Sequence, residues 1–186
     1  MRITRLVGVL IAASLAVSLI GAPAVGESSS RRDHATPNPS RQRATHPSQS
    51  NGAPLGTLRI PAIALEEPVT SGVAPQTIDR GVAHWVGTAR AGDHGNVVLA
   101  GHRTTHTRPF YDLDQLDYGD LVYMTDRRGR EVMYRVTDTF IVRPRDVWIT
   151  YDQGRPMLTM FACHPKGSNR LRIVVQAELV GGHPIA

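Results

Sequence analysis

From residue 54 onward the chain is divided into short apolar or alternating runs, each closed by glycine, proline or a polar turn. Residues 56–60 (GTLRI) alternate up to Pro61, and residues 67–70 form a second extended piece before Ser71 and Gly72. Residues 95–100 (GNVVLA) run apolar between two glycines, as a strand buried on both faces does, and deliver His102 just past their end. Residues 119–125 and 130–136 alternate on either side of Asp126, Arg127, Arg128 and Gly129, which reads as a hairpin. Residues 139–142 and 147–150 are further extended pieces split by Pro144, and two runs flanking Cys163 complete the set. Helical signal is confined to a turn over 75–80 opened by Pro75, and to 110–116, where Phe110, Leu113 and Leu116 recur at helical spacing. Residues 81–88 (GVAHWVGT) read as a loop carrying His84 and Trp85. About eight short strands, one or two short helices, no regular strand-helix alternation and no internal repeat predict a mostly β domain, closed or nearly closed as an antiparallel-rich barrel.

The first 54 residues have another character. Arg2 and Arg5 precede an apolar run over 6–20, followed by Ala22, Pro23 and Ala24. Residues 1–25 therefore read either as an export signal with a small-residue cleavage site or as a retained membrane anchor of about 20 residues. Both place the remainder outside the cytoplasmic membrane. Residues 26–54 are rich in Ser, Arg, Thr, Pro and Gln and hold too few apolar groups to offset the entropy of ordering, so a flexible stalk is expected there. The domain then occupies 55–186.

Charge follows the same division. Of the formal +5, six arginines against Glu27 and Asp33 put +4 before residue 54, leaving +1 for the domain. A basic stalk fits attraction to anionic lipid or wall polymer, and the domain lacks the basic footprint of a nucleic-acid binder.

Cys163 is the only cysteine, so no disulfide staples the domain, and at this length none is needed. It ends one apolar run and is followed by His164, Pro165, Lys166 and Gly167, a composition that leaves a strand's last side chain at a sheet rim. Arg172 opens the next run, and His102 ends its own strand, so three strand ends carrying thiol, imidazole and guanidinium are able to converge. A free thiol, with a pKa of about 8.5, is mostly protonated at neutral pH, and a nearby imidazole or guanidinium favours the thiolate. In such a site Cys163 would attack a carbonyl, His102 would shuttle protons and Arg172 would bind the developing oxyanion. Each residue also has a plainer reading: Cys163 as a small buried hydrophobe, His102 as a surface residue, Arg172 as a solvated strand residue paired with Glu178. His164 beside the thiol invites zinc, but one cysteine with scattered histidines lacks paired ligand spacing, so neither a metal site nor a cofactor is expected.

The blocks AGHRTTHTRPF, FYDLDQLDYGDLVYM and LTMFACHPKGSNRLRIVVQAEL, in that order, resemble sortases, most of all the class E type of high-GC Gram-positive bacteria. The resemblance spans about 55–179 and implies an eight-stranded β-barrel transpeptidase in which His102, Cys163 and Arg172 are catalytic. It further implies cleavage of a C-terminal LPxTG or LAxTG-like sorting signal between Thr and Gly, a thioester on Cys163, and transfer to an amine of a cell-wall precursor or a pilin subunit. The expected partners are surface proteins bearing that signal, the acceptor amine, and the membrane through the N-terminal segment. Two positions depart from the family. Ala162 stands where the family's TLxTC pattern has a hydroxyl before the nucleophile, and His106 stands where this class tends to carry Tyr, a position implicated in recognising the signal's second residue. Ala162, His106, His164 and Arg170 are accordingly candidate substrate-binding positions, Arg170 also because it shares a strand face with Arg172. Asp112 and Asp114 read as solvated or capping rather than as a calcium site.

Other exported or cysteine-dependent enzymes fit less well. The pattern of L,D-transpeptidases has glycine before the cysteine and arginine soon after, unlike Ala162-Cys163-His164. A papain-like site needs a helix starting at the cysteine, against which Pro165 and Gly167 argue. A barrel that binds wall or sorting signals with weak catalysis is the alternative from a different class, which Ala162 favours.

Overall fold

The computed structural model describes residues 52–182; residues 1–25 and most of 26–54, with the expected leader and stalk, lie outside the described residues. Among the described residues no helix is long and apolar enough to cross a membrane.

The strands are β1 (Pro54–Ile60), β2 (Leu65–Ser71), β3 (Val82–His84), β4 (Asn96–Ala100), β5 (Leu121–Asp126), β6 (Glu131–Val142), β7 (Met157–His164) and β8 (Leu171–Gly182), with one short helix α1 (Pro75–Ile78). They close into a barrel in the order β1-β2-β3-β4-β7-β8-β6-β5. Two pairs are parallel, β2 with β3 and β4 with β7, and the others antiparallel. A parallel pair cannot be closed by a tight turn. Accordingly the segment holding α1 links β2 to β3, and the whole β5-β6 hairpin lies between β4 and β7. Closure leaves no long unpaired edge, which suits short strands that could not protect one.

Inward-facing side chains of every strand but β3 and β6 alternate with outward ones as a two-residue period requires, and Leu58, Ile60, Val69, Val97, Leu99, Val122, Leu158, Met160, Ile173 and Val175 meet in one core. A smaller outer cluster of Val142, Ile149 and Val174 packs with Phe140 and Phe161.

Four elements differ from the sequence expectation, each for a tertiary reason. The expected loop over 81–88 contains β3, because Val82, Ala83 and His84 pair with β2 on one side and β4 on the other. The expected helix over 110–116 is a single 3-10 turn at Leu113–Gln115; Phe110, Leu113 and Leu116 are nonetheless all buried, so spacing marked the right face and overstated the length. Residues 139–142 are the continuation of β6, whose pairing with β8 carries through to Val142. Val147–Thr150 is a 3-10 turn rather than a strand, with Ile149 as its buried residue.

Tyr134 ties the barrel to the β3-β4 connection. It is fully buried, and its hydroxyl accepts the Gly92 amide at 2.9 Å. Burial, with a smaller push from Asp93 and against the Gly92 hydrogen bond, raises the phenol to about 12. Because the folded-state value lies above the ordinary one near ~10, the stability this group contributes is complete below about pH 10 and is lost as pH rises towards 12. Tyr134→Phe should cost about 1–2 kcal/mol at neutral pH through the orphaned amide, and should flatten the alkaline loss of stability. Urea denaturation of both proteins at pH 7.5 and 11 measures this; an identical alkaline decline would contradict it.

Candidate active site

Strand parity builds the site. Leu158, Met160 and Ala162 of β7 turn into the core, as do Ile173, Val175 and Ala177 of β8. Cys163 and Arg172, which sit opposite one another in the β7-β8 register, must then stand on the outer face. Strand β4 runs parallel to β7 with Ala100 opposite Phe161, and the Gly101 amide donates to the Phe161 carbonyl at 3.3 Å, carrying the register one residue further. His102 thus leaves β4 beside Cys163. Val97 and Leu99 face inward, so the same parity turns His102 outward with the thiol.

Gly101 lets this happen. A Cβ there would lie 2.7 Å from the Phe110 ring and 3.0 Å from Pro109, so only glycine admits the returning segment, whose Phe110 amide bonds the His102 carbonyl at 3.1 Å.

An open cleft of about 1100 Å³ is lined by His102, Thr105, Cys163, Ser168, Arg170 and Arg172, among others. The three residues expected to do chemistry therefore share one cavity. A second cavity of about 710 Å³ lies elsewhere, by His84, Arg90 and the β5-β6 turn, and none of the three lines it. Cys163 is partly exposed and unpaired, which excludes the plainer reading of a sealed hydrophobe. Arg172 donates through Nη1 to the carbonyls of Leu171 at 2.8 Å and Asn169 at 3.0 Å. Those bonds fix the guanidinium against its own loop and leave its other N–H groups without a partner among the described residues. Glu178, the partner envisaged for a merely solvated Arg172, pairs instead with Arg155.

His102 is held at both ring nitrogens. Nε2 lies 2.8 Å from Asp79 Oδ1, and Nδ1 lies 3.1 Å from Thr105 Oγ1. Thr105 lines the cleft together with His102 and Cys163, and Asp79 is not among its lining residues. Asp79 is a residue the sequence reading missed: it follows α1, twenty-three positions upstream of His102, and no local spacing announces it.

The four candidate substrate-binding positions separate. Arg170 lines the cleft. Ala162 is 1% exposed within the core, so its side chain lies behind the thiol, on the opposite face of β7, and does not reach the cleft. His106 stacks on His102, ring centroids 4.5 Å apart, with Nε2 3.5 Å from Asp79 Oδ1. His164 serves another partner, Arg103.

Arg103 is the second residue missed. Its side chain is 1% exposed and meets Asp114 at 2.7 Å, His164 Nδ1 at 2.8 Å and the Tyr111 carbonyl at 3.3 Å. Arginine only donates, so His164 Nδ1 must accept and its ring proton resides on Nε2. Lys166 adds contacts to Asp112 at 3.1 Å and Asp114 at 3.6 Å. Asp112 and Asp114 are thus ion-paired, not free or capping. Burial alone would raise the Asp114 carboxyl, but the Arg103 hydrogen bond and charge, its own backbone amide and Lys166 together hold it below its ordinary value. The result is a clamp between the segment after His102 and the segment after Cys163.

Comparison with known proteins agrees with the barrel fold. A family model described as Sortase domain matches residues 58–180. Sortase D of Bacillus subtilis is 30% identical over 115 residues, 61% of this chain and 56% of that protein. Sortase SrtE1 of Streptomyces coelicolor is 26% identical over 153 residues, 72% of this chain and 42% of that protein. The chain thus spans about half the length of these relatives. Among solved structures, sortase E from Streptomyces avermitilis superposes with a TM-score of 0.65 at 31% identity, covering 73% of this chain and 93% of that one.

Proposed function

Because the chain belongs to the sortase family, we propose that it is a cysteine transpeptidase that cleaves an LPxTG or LAxTG-like sorting signal between Thr and Gly and passes the acyl group to a cell-wall or pilin amine. The observation that carries this is the convergence of Cys163, His102 and Arg172 from three neighbouring strands onto one open cleft.

The Cys163 thiol passes its proton to His102 and its sulfur attacks the threonine carbonyl carbon, forming a C–S bond while the carbonyl electrons move to oxygen. Arg172 donates to that oxyanion. When the intermediate collapses the C–N bond to glycine breaks, and the imidazolium of His102 gives its proton to the departing amine. An incoming amine then attacks the thioester, His102 takes its proton, and the thiolate leaves. Asp79 acts as a positioning residue, holding Nε2 so that Nδ1 is the nitrogen left to carry the proton. Arg170 at the rim and His106 beside His102 contact the signal's variable residues, and an anchor over 1–25 would hold the domain where such substrates emerge.

The full chain incubated with an LAxTG peptide should gain the mass of the acyl fragment on Cys163, released on adding an amine. Absence of any adduct with both LAxTG and LPxTG peptides would overturn the assignment. Arg172→Ala should lower turnover about 10²-fold or more through lost oxyanion stabilisation, with a smaller loss for Arg170→Ala; the reverse order would make Arg170 the oxyanion donor. A binding module of weak activity would instead retain peptide without turnover.

A further inference from the structure

Asp79, His102 and His106 each offer one donor atom, and the three atoms lie within 4.8 Å of one another. Both Nε2 atoms address the same carboxylate oxygen, at 2.8 Å from His102 and 3.5 Å from His106. We propose that these residues form a binding site for a divalent transition cation of the zinc class, and that its occupation reversibly silences the enzyme by capturing His102. The binding half stands on these contacts alone; the silencing half rests on the function proposed above.

Two of the three ligand separations suit such an ion, and the third, between the two imidazoles, lies within 4.8 Å. Ligand atoms about 2.0–2.1 Å from a tetrahedral zinc lie about 3.3 Å apart. The His106–Asp79 separation of 3.5 Å already fits, and the His102–Asp79 contact has only to open by about 0.5 Å. Two imidazoles and a carboxylate suit zinc, with a coordination position left for water, and are a poor set for calcium, which takes oxygen ligands. His102 also has the outer support that metal-bound histidines use, since Thr105 Oγ1 stands 3.1 Å from Nδ1 and can accept its proton. His106, stacked on His102, has φ +53°, a left-handed conformation uncommon outside glycine though less rare for histidine.

The inhibitory step follows from the tautomer. A cation on Nε2 leaves the ring's one proton on Nδ1, so neither ring nitrogen can accept another. His102 is then unable to take a proton from the incoming amine. No bond is broken, so chelation restores the free ring.

Two measurements test this. In the full-length chain carrying Cys163→Ala, which removes thiolate as a rival ligand, zinc titrated calorimetrically should bind one ion per chain. Adding His106→Ala or Asp79→Asn should weaken binding about 10- to 100-fold; unchanged affinity in both would overturn the site. With Cys163 present, zinc should suppress peptide cleavage and a chelator should restore it. His106→Ala, scored against its own metal-free rate, should need at least about 10-fold more zinc for half-inhibition. An unmoved midpoint would assign the inhibition to the thiol and overturn the silencing role. If metal-free enzyme cleaves no sorting peptide, the proposed function fails while the calorimetry still decides the site.

Discussion

Cys163→Ala should abolish peptide cleavage and thioester formation while leaving the denaturation midpoint within about 0.5 kcal/mol of the parent. The two halves of that expectation have separate causes. Cys163 stands on the outer face of β7, partly exposed, with no disulfide. Replacing its sulfur by hydrogen opens no cavity in the core, which is filled on the other face by Met160 and Ala162. Chemistry has no such substitute, because no second thiol exists in the chain, and neither His102 nor Arg172 can carry the acyl group as a thioester. Peptide turnover followed by mass spectrometry, with urea denaturation alongside, reads both. Residual turnover above about 1% with no adduct would point to an activated water in place of a covalent route. Loss of fold would mean that the thiol packs more tightly than its exposure indicates.

What the sequence disclosed and what it concealed follow from the range of the forces involved. Strand β4 and the two runs around Cys163 were legible because burial on both faces, or alternation closed by glycine and proline, is written within each run. Cys163, His102 and Arg172 were legible as strand ends, and it took the parallel β4-β7 register to bring the first two together. Strand β3 was concealed because three residues between glycines form a strand only when β2 and β4 flank them. The β-branched run at Val147–Thr150 suggested a strand, yet it lies in the connection between β6 and β7, where burial of Ile149 in the outer cluster outweighs propensity. Asp79 was concealed because a carboxylate that serves a histidine across twenty-three residues leaves no local pattern. Ala162 illustrates the opposite error: its place in the family's TLxTC pattern suggested a substrate-binding position, whereas alternation along β7 turns its side chain into the core.

Arg103→Met should destabilise the protein by about 1–3 kcal/mol, the loss expected when the donor of charge-assisted hydrogen bonds is removed, discounted because Asp114, at 39% exposed, is partly screened by solvent. Arginine is normally a surface residue, and here it is 1% exposed with three partners drawn from two separate segments. Methionine can fill part of the volume but leaves the Asp114 carboxylate, His164 Nδ1 and the Tyr111 carbonyl without their donor. Arg103→Lys keeps the charge but not the fork, so it should fall between the two. Turnover should drop further than the fraction unfolded explains, because the clamp holds the segment that carries His102 against the one that follows Cys163. Urea denaturation gives the first quantity, and kcat measured well below the unfolding transition gives the second. A third readout is specific to the clamp. With its folded-state pKa depressed, Asp114 contributes stability that is present above the unfolded-state value near ~3.9 and is lost as pH falls through the lower folded one. Removing the Arg103 charge should erase that acid-side decline. A variant that loses less than about 1 kcal/mol, or keeps the decline, would show that Lys166 and the backbone hold Asp114 unaided, and the positioning of His102 would then have to come from Asp79 and Gly101 alone.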